Sequence, residues 1–116
     1  MAVRADFANY CSELLSSAGR VHGKRMFGGY GLYVDNVFVA IVAGETLYLK
    51  TDEQTQQKFA GARCTPFQFT ARGKQQVTSY WSAPAEAMDS AEAMAPWARL
   101  AIEAAVRVGT GRRRKR

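Results

Sequence analysis

Residues 26–52 read MFGGYGLYVDNVFVAIVAGETLYLKTD, and this stretch decides the fold of the chain. It contains three short runs of mainly β-branched and aromatic residues, at 31–34, 37–43 and 46–50. Asp35-Asn36 separates the first two runs and tolerates the positive φ angles of a type I′ turn, whereas Gly44-Glu45 separates the next two and suits a type II′ turn. The spacing therefore predicts a three-stranded antiparallel meander.

The middle run is apolar on both faces, which predicts that it lies in the centre of the sheet. In the third run, Leu47 and Leu49 alternate with Tyr48 and Lys50, so that strand has one wetter face. We expect the core to unite large apolar side chains from the meander, a later strand and the last helix, namely Phe38, Ile41, Leu47, Leu49, Phe69 and Trp97.

The chain around the meander is predicted to form helices and two more strands. Apolar residues at helical spacing predict a first helix over 6–17, and a polar loop over 20–25 follows it. Thr51 and Gln54 have the spacing of a capping box, which predicts the start of a short helix that ends near residue 60. Alternating residues predict strands over 65–71 and 75–82.

The last helix is predicted to start at Asp89, in an Asp-x-x-Glu pattern, and to end near Val108. Pro96 lies inside it and is expected to kink or divide it. The element order is then α-β-β-β-α-β-β-α, an α+β domain with a five-stranded antiparallel sheet and flanking helices. Residues 1–108 are predicted to form this domain, and residues 109–116 a flexible basic tail.

The composition is that of one globular domain of 116 residues, 47% of them hydrophobic and 22% charged. No apolar run approaches the ~20 residues of a membrane span. The first residues lack the apolar core of a signal peptide, so we expect a cytoplasmic protein. Cys11 and Cys64 form no closely spaced pair, and they are expected to be buried free thiols; the alternative is a disulfide between them.

The positive charge is concentrated at the end of the chain. The net charge is +6, and the last five residues are all basic: Arg112, Arg113, Arg114, Lys115 and Arg116. Without them, 11 basic residues face 10 acidic ones, so the rest of the chain carries about +1. Five adjacent cations can neutralise DNA phosphates, which predicts non-specific DNA contact, with Lys24 and Arg25 as the next candidates. The alternative is a solvated tail.

The residue pattern predicts no catalytic, cofactor-binding or metal-binding residues, and we expect that the chain is not an enzyme. His22 is the only histidine, and no second ligand or base lies at the spacing that a metal or catalytic site needs. The cluster Gly28-Gly29-Tyr30-Gly31 lacks the Gly-Lys-Ser/Thr helix start of a phosphate-binding loop. A sharp bend or a close backbone approach explains these glycines better.

Four tyrosines in or beside the predicted strands, Tyr30, Tyr33, Tyr48 and Tyr80, have two possible roles. Aromatic side chains on a sheet can stack against the bases of single-stranded nucleic acids. Packing within the sheet is the alternative and the commoner fate of such residues.

The chain resembles the N-terminal domain of bacterial TfoX/Sxy proteins. Three ordered motifs carry the resemblance, at 26–33, at 46–52 and from 77 to Pro84. The motif residues are Phe27, Gly28, Gly29, Gly31, Tyr33, Leu47, Tyr48, Lys50, Tyr80 and Pro84. The similarity runs from about the first helix to Val108, although that family has an uninterrupted helix where this chain has Pro96.

The resemblance implies a fold similar to secretion-chaperone-like domains, with the element order given above. It also implies a function in regulating competence genes for DNA uptake and transformation, as a co-activator beside the cyclic-AMP receptor protein, and no cofactor. Longer family members carry a second helical domain, and this chain is expected to be a single-domain member. We therefore expect a regulatory homodimer that acts through protein contacts; the alternative is a chaperone-like protein-binding module without a nucleic-acid role.

Overall fold

A computed structural model describes residues 5–26 and 28–114, with side chains described as far as Gly109. The helices are α1 (Ala5–Leu15), α2 (Gln56–Gly61) and α3 (Ala91–Arg114). The strands are β1 (Val21–Met26), β2 (Gly29–Val34), β3 (Val37–Ala43), β4 (Thr46–Lys50), β5 (Pro66–Ala71) and β6 (Lys74–Ser82). Short 3-10 turns cover Ser16–Ala18 and Ala85–Asp89. No helix within the described residues is long and apolar enough to cross a membrane.

The strands form one antiparallel sheet in the order β1-β2-β3-β4-β6-β5. The α+β prediction is confirmed, with six strands in place of five. The predicted polar loop over 20–25 is wrong, because Val21–Met26 forms the edge strand β1. This strand has no apolar alternation since four of its six residues are exposed, and it is held by pairing with β2 along its whole length.

The predicted meander is confirmed as β2, β3 and β4. Asp35 and Asn36 both have positive φ, at 49° and 69°, as a type I′ turn requires. Gly44 has a φ of 59°, which agrees with the predicted type II′ turn at Gly44-Glu45. β3 lies between β2 and β4 inside the sheet, in agreement with its apolar faces.

Two of the clustered glycines have separate structural roles. Gly28 has a φ of 76° and lies in the turn before β2. Gly31 lies inside β2, where a Cβ atom would come within 2.6 Å of Met26 Cε and 2.8 Å of Phe38 Cε1. A side chain at Gly31 would therefore require these neighbours to move; the close approach comes from side chains, in place of the predicted backbone.

The hydrophobic core lies between α1, α3 and one face of the sheet, which we call the inner face. Its fully buried side chains come from every layer: Cys11, Leu15, Leu32, Val39, Leu47, Leu49, Phe59, Met94 and Ala101. Leu47 and Leu49 are 2% and 0% exposed, which confirms their predicted core positions.

Three of the six predicted core residues lie elsewhere. Phe38, Ile41 and Phe69 are outside the core cluster and line a groove on the opposite, outer face of the sheet, where Ile41 is buried and Phe69 is 45% exposed. Their hydrophobicity matches a core, but the pleat of their strands turns them to the other face. Trp97 packs at the edge of the core, edge-on against Phe59 with 5.1 Å between ring centroids.

Helix α3 is longer than predicted at its C-terminal end. Ser90 Oγ, one residue after the predicted start, caps it by accepting a hydrogen bond from Ala93 N at 3.0 Å. The helix includes Pro96 without dividing and passes through Gly109 to Arg114, so the predicted end near Val108 is wrong. A glycine in a helix costs only about 1 kcal/mol relative to alanine, which an established helix can absorb.

A candidate binding groove on the outer face of the sheet

The outer face carries a row of rings in contact with one another, which we call the ring row: His22, Tyr33, Phe38 and Tyr80. The centroids of His22 and Tyr33 are 4.9 Å apart with only 2° between the ring planes, because the two residues are direct partners in the β1–β2 register. Tyr33 lies 5.1 Å from Phe38, and Phe38 lies 5.5 Å from Tyr80. Aromatic rings at these separations attract each other by more than the burial of their surface alone contributes. The row is therefore an ordered aromatic surface across β1, β2, β3 and β6.

The structure separates the four tyrosines that the sequence pattern groups together. Tyr33, Tyr48 and Tyr80 lie on the outer face, where Tyr48 packs against Phe67 at 5.0 Å. Tyr30 packs against the core on the inner face. Phe38 belongs to the outer surface, and its predicted core position is wrong. Strand alternation was the signal that could have placed Phe38, but a register shift between Leu32 and Tyr33 against β3 obscures it.

Beside the ring row lies an open groove of about 770 Å³, which we call the outer groove. Strands β3 to β6 form most of it, and residues 105–109 of α3 form the rest. Its lining residues are Val37, Phe38, Ile41, Lys50, Phe67, Phe69, Thr78, Ser79, Tyr80, Ala105, Val108 and Gly109. The groove has the size and mainly apolar lining that are typical of ligand sites.

Lys50 is the only charged residue among the described residues that line this groove. Its Nζ atom donates a hydrogen bond to Ser79 Oγ at 2.5 Å and lies 5.0 Å from the centroid of the Tyr80 ring. Lys50 and Tyr80 meet because they are direct partners in the β4–β6 register. The ring face attracts the ammonium group and holds the charge at the groove wall.

A second hollow of about 480 Å³ adjoins the outer groove and shares Lys50, Ser79 and Val108 with it. Asp52 and Arg107 form a bidentate ion pair there, with Nε to Oδ2 at 2.5 Å and a nitrogen of the guanidinium to Oδ1 at 3.0 Å. The Arg107 hydrogen bond is the main reason that the pKa of Asp52 is below its usual value. The pair joins α3 to the end of β4 across the hollow.

The capping box predicted at Thr51 and Gln54 is wrong: a reciprocal pair forms one residue later, between Asp52 and Thr55, in the turn before α2, and Thr55 itself, the N-cap residue of α2, makes no side-chain cap. Asp52 Oδ1, in place of Thr51, accepts hydrogen bonds from Gln54 N at 3.1 Å and Thr55 N at 3.2 Å, and Thr55 Oγ1 accepts one from Asp52 N at 3.0 Å. Thr51 is fully buried and its hydroxyl donates to the carbonyl oxygen of Ser79 at 2.7 Å. Because the Thr51 hydroxyl is bonded to β6, it does not cap the helix α2, which starts only at Gln56.

The predicted DNA-contacting residues are not brought together within the described part of the chain. Lys24 and Arg25 are exposed on β1, but as neighbours in a strand they point to opposite faces of the sheet. Arg112, Arg113 and Arg114 belong to α3, whereas Lys115 and Arg116 lie outside the described residues.

The remaining motif residues have mainly structural positions. Gly29 is buried at the start of β2, Leu47 is in the core, and Pro84 is buried before the second 3-10 turn, where its carbonyl accepts a hydrogen bond from Ala87 N at 3.0 Å. Phe27 lies outside the described residues. The motif thus contributes Tyr33, Tyr48, Lys50 and Tyr80 to the outer face.

The groups that could carry chemistry are dispersed. Within the described residues, no group of three or more histidine, cysteine, aspartate or glutamate side chains is placed to hold a metal ion. Cys11 and Cys64 are free and buried. Burial raises the pKa of the Cys11 thiol to about 12 and also raises that of Cys64. Both thiols are therefore poor nucleophiles in the folded protein.

Comparison with known proteins gives one family. The family model of the TfoX N-terminal domain matches residues 13–105, which include the last three residues of α1, all six strands and most of α3. No curated protein sequence matches the chain.

Proposed function

Because the chain belongs to the TfoX N-terminal domain family, we propose that it is a non-enzymatic regulatory protein that acts by binding another protein. The observation that carries the proposal is the ring row on the outer face. Its rings are ordered by one another and not by the core, and His22 at its end is exposed. Aromatic residues are enriched in protein interfaces because they supply large contact areas with few rotatable bonds.

The non-enzymatic part of the proposal rests on the positions of the reactive residue types. The His22 ring is stacked flat on Tyr33, and the two thiols are buried with raised pKa values. A nucleophile and its base must lie within hydrogen-bond reach of each other. The geometry favours a surface that recognises a partner over a site that transforms a substrate.

The partner class follows from the family. We propose a transcription regulator of the cyclic-AMP receptor type, with the chain acting in the control of competence genes. The chaperone-like alternative predicts binding to many unfolded proteins without an effect on transcription. A cytoplasmic location and a homodimer belong to the same proposal; β1 and β5 are the two edges of the sheet, and such edges need protection from unwanted pairing.

The test measures binding of the purified chain to the cyclic-AMP receptor protein of the same organism, on and off promoter DNA. Tyr33→Ala removes a ring from the ring row and should weaken binding at least fivefold, since interface aromatics often contribute more than 1 kcal/mol. Tyr10→Ala is the matched control, because Tyr10 is 40% exposed on α1, which packs against the inner face. Equal binding by the two variants, or no binding by the unmodified chain, would contradict the proposal.

DNA contact through Arg112–Arg116 is a second, separable part of the proposal. Its support is the concentration of five cations in the last five residues of a chain that otherwise carries about +1. Such a contact would be electrostatic and would add affinity for any promoter without selecting its sequence.

A further inference from the structure

The two edges of the sheet differ in how well they are protected from pairing with another strand. The edge strand β1 carries the exposed cations Lys24 and Arg25, and charged side chains, lysine above all, keep an edge from pairing. The edge strand β5 has no charged residue, and three consecutive residues in it, Gln68, Phe69 and Thr70, are exposed. Within the described part of the chain, β5 is therefore the edge that is open to a further strand.

The hairpin between β5 and β6 fixes which backbone groups of β5 point outward. The two-residue turn Arg72-Gly73 has positive φ angles, 55° and 76°, as a type I′ hairpin requires. The pair beside this turn, Ala71 with Lys74, holds the hydrogen bond that closes it, and hydrogen-bonded pairs alternate along the ladder with pairs that are not. Every second residue of β5 therefore bonds to β6, and the residues between, Gln68 and Thr70, direct their backbone N–H and C=O groups to the free edge.

We infer that β5 binds the β5 strand of a second copy of this chain, antiparallel about a two-fold axis at Phe69. This register places Gln68 of each copy opposite Thr70 of the other, and each of these pairs exchanges both of its N–H···O bonds. Phe69 faces its own copy in the pair between them, where the side chains are closest. The pairing gives the 45% exposed Phe69 ring an apolar partner, and it leaves Pro66, which has no N–H to donate, outside the paired residues.

Symmetry and charge select a second copy as the occupant. Pairing β5 with β5 is isologous, so it closes at a dimer and leaves only the charged β1 edges at the ends of the joined sheet. Pairing β5 of one copy with β1 of the next would be head-to-tail and open-ended, and pairing β1 with β1 would bring Lys24 and Arg25 close to their own copies. Phe67 stacks on Phe69 with ring centroids 6.1 Å apart, so the rings of both copies form one cluster at the axis.

This inference rests on the homodimer of the proposed function and names the surface that forms it. The rings of Phe67 and Phe69 line the outer groove, so the grooves of the two copies meet at the axis. The ring row takes no residue from β5, and it stays free in the dimer to bind the protein partner. The two surfaces can therefore be tested separately.

The first test combines charge substitutions with sedimentation of the purified full chain at micromolar concentration. In Gln68→Lys/Thr70→Lys each new lysine faces a lysine of the other copy, and the dimer dissociation constant should rise by about tenfold or more, because like charges directly opposite destabilise a strand pair. In Gln68→Glu/Thr70→Lys each glutamate faces a lysine, and the dimer should be retained. The matched control is Gln75→Lys/Val77→Lys, which adds the same two charges at the direct partners of Thr70 and Gln68 on β6, one strand away from the edge, and should dimerise like the unmodified chain.

A cysteine at the axis tests the register directly. Opposite residues in a pair without hydrogen bonds have Cα atoms about 4.5 Å apart, which a disulfide can span. Mild oxidation of folded Phe69→Cys should give a disulfide-linked dimer, whereas Val77→Cys, which is 65% exposed on β6, should not. The native thiols of Cys11 and Cys64 are buried and do not compete.

Circular dichroism shows whether each variant keeps the fold. The inference is overturned if Gln68→Lys/Thr70→Lys dimerises as tightly as its control, or if Phe69→Cys forms no disulfide-linked dimer. If either result is obtained while the unmodified chain dimerises, the homodimer stands and forms through another surface; if the unmodified chain is monomeric, the homodimer and this inference both fail. These outcomes leave the partner-binding test with Tyr33→Ala unaffected.

Discussion

Truncating Leu49 to alanine should cause a large loss of stability, because this side chain is fixed in the centre of the core. Leu49 is 0% exposed and lies on β4 between Ala40 of β3 and Trp81 of β6. Removing three carbon groups costs about 2.4 kcal/mol in lost transfer free energy, at ~0.8 kcal/mol each. The paired strands on both sides hinder collapse of the cavity, which raises the expected cost to about 3–4 kcal/mol, within the ~2–5 kcal/mol seen for such truncations.

Urea unfolding followed by tryptophan fluorescence measures this loss directly. A cost of about 3 kcal/mol should also lower the melting temperature by roughly 10–15 °C in a domain of this size. Val77→Ala is the control in the same sheet: Val77 is 65% exposed, and its truncation should change the free energy of unfolding by no more than about 0.5 kcal/mol. A loss below about 1 kcal/mol for Leu49→Ala would refute the inner-face assignment of Leu49 on β4.

Four further predictions address other parts of the molecule. An alkylating reagent without reductant should label both Cys11 and Cys64 after denaturation, but only slowly in the folded protein, and a native chain that labels as fast as the unfolded one would contradict their burial. Asp52→Asn should be less stable than the unmodified chain at pH 7. Because the pKa of Asp52 is lowered in the folded state, the stability that the Asp52 carboxylate contributes is present above the unfolded-state pKa of about 3.9 and is lost as the pH falls through the lower folded-state value. Urea unfolding at pH 7 and at about pH 2.5 should therefore show the difference in free energy of unfolding between the two proteins becoming smaller at the lower pH. Duplex DNA titrated at several salt concentrations should bind with a log–log slope of about −4 to −5 if all five cations of Arg112–Arg116 engage, and binding that survives deletion of these residues would place the DNA contact elsewhere. Sedimentation at micromolar concentration should show a species of twice the chain mass of 12.8 kDa, and a purely monomeric profile would contradict the proposed homodimer.

The outer groove shows why local patterns placed some residues on the wrong face. The aromatic and aliphatic character of Phe38, Ile41 and Phe69 is the same in a core and in a groove. Only the register decides between the two, and the irregular pairing at Leu32–Tyr33 puts Phe38 on the same face as Ile41, whereas simple alternation would put them on opposite faces. A sequence pattern of period two cannot detect a bulge that depends on the neighbouring strand.

Local sequence determined the elements whose signals lie within a few residues. The turn at Asp35-Asn36 follows from side chains that tolerate positive φ, and the helix α1 follows from apolar residues at helical spacing. The three motifs at 26–33, 46–52 and 77–84 likewise identify the family by the identity of their residues alone. The turn depends on backbone sterics and the helix on hydrophobic periodicity. Both properties are determined by residues that are close together in the sequence.

The tertiary structure alone decided the features that join distant segments. The strand β1 is mostly polar and forms because it pairs with β2. The strand β6 pairs with β4, although α2 and β5 lie between them in the sequence. That pairing brings Lys50 to Tyr80, and the packing of α3 brings Arg107 to Asp52, 55 residues away. Such contacts form when the free energy gained by packing the whole domain exceeds the entropic cost of closing long loops. That difference cannot be predicted from any short stretch of sequence.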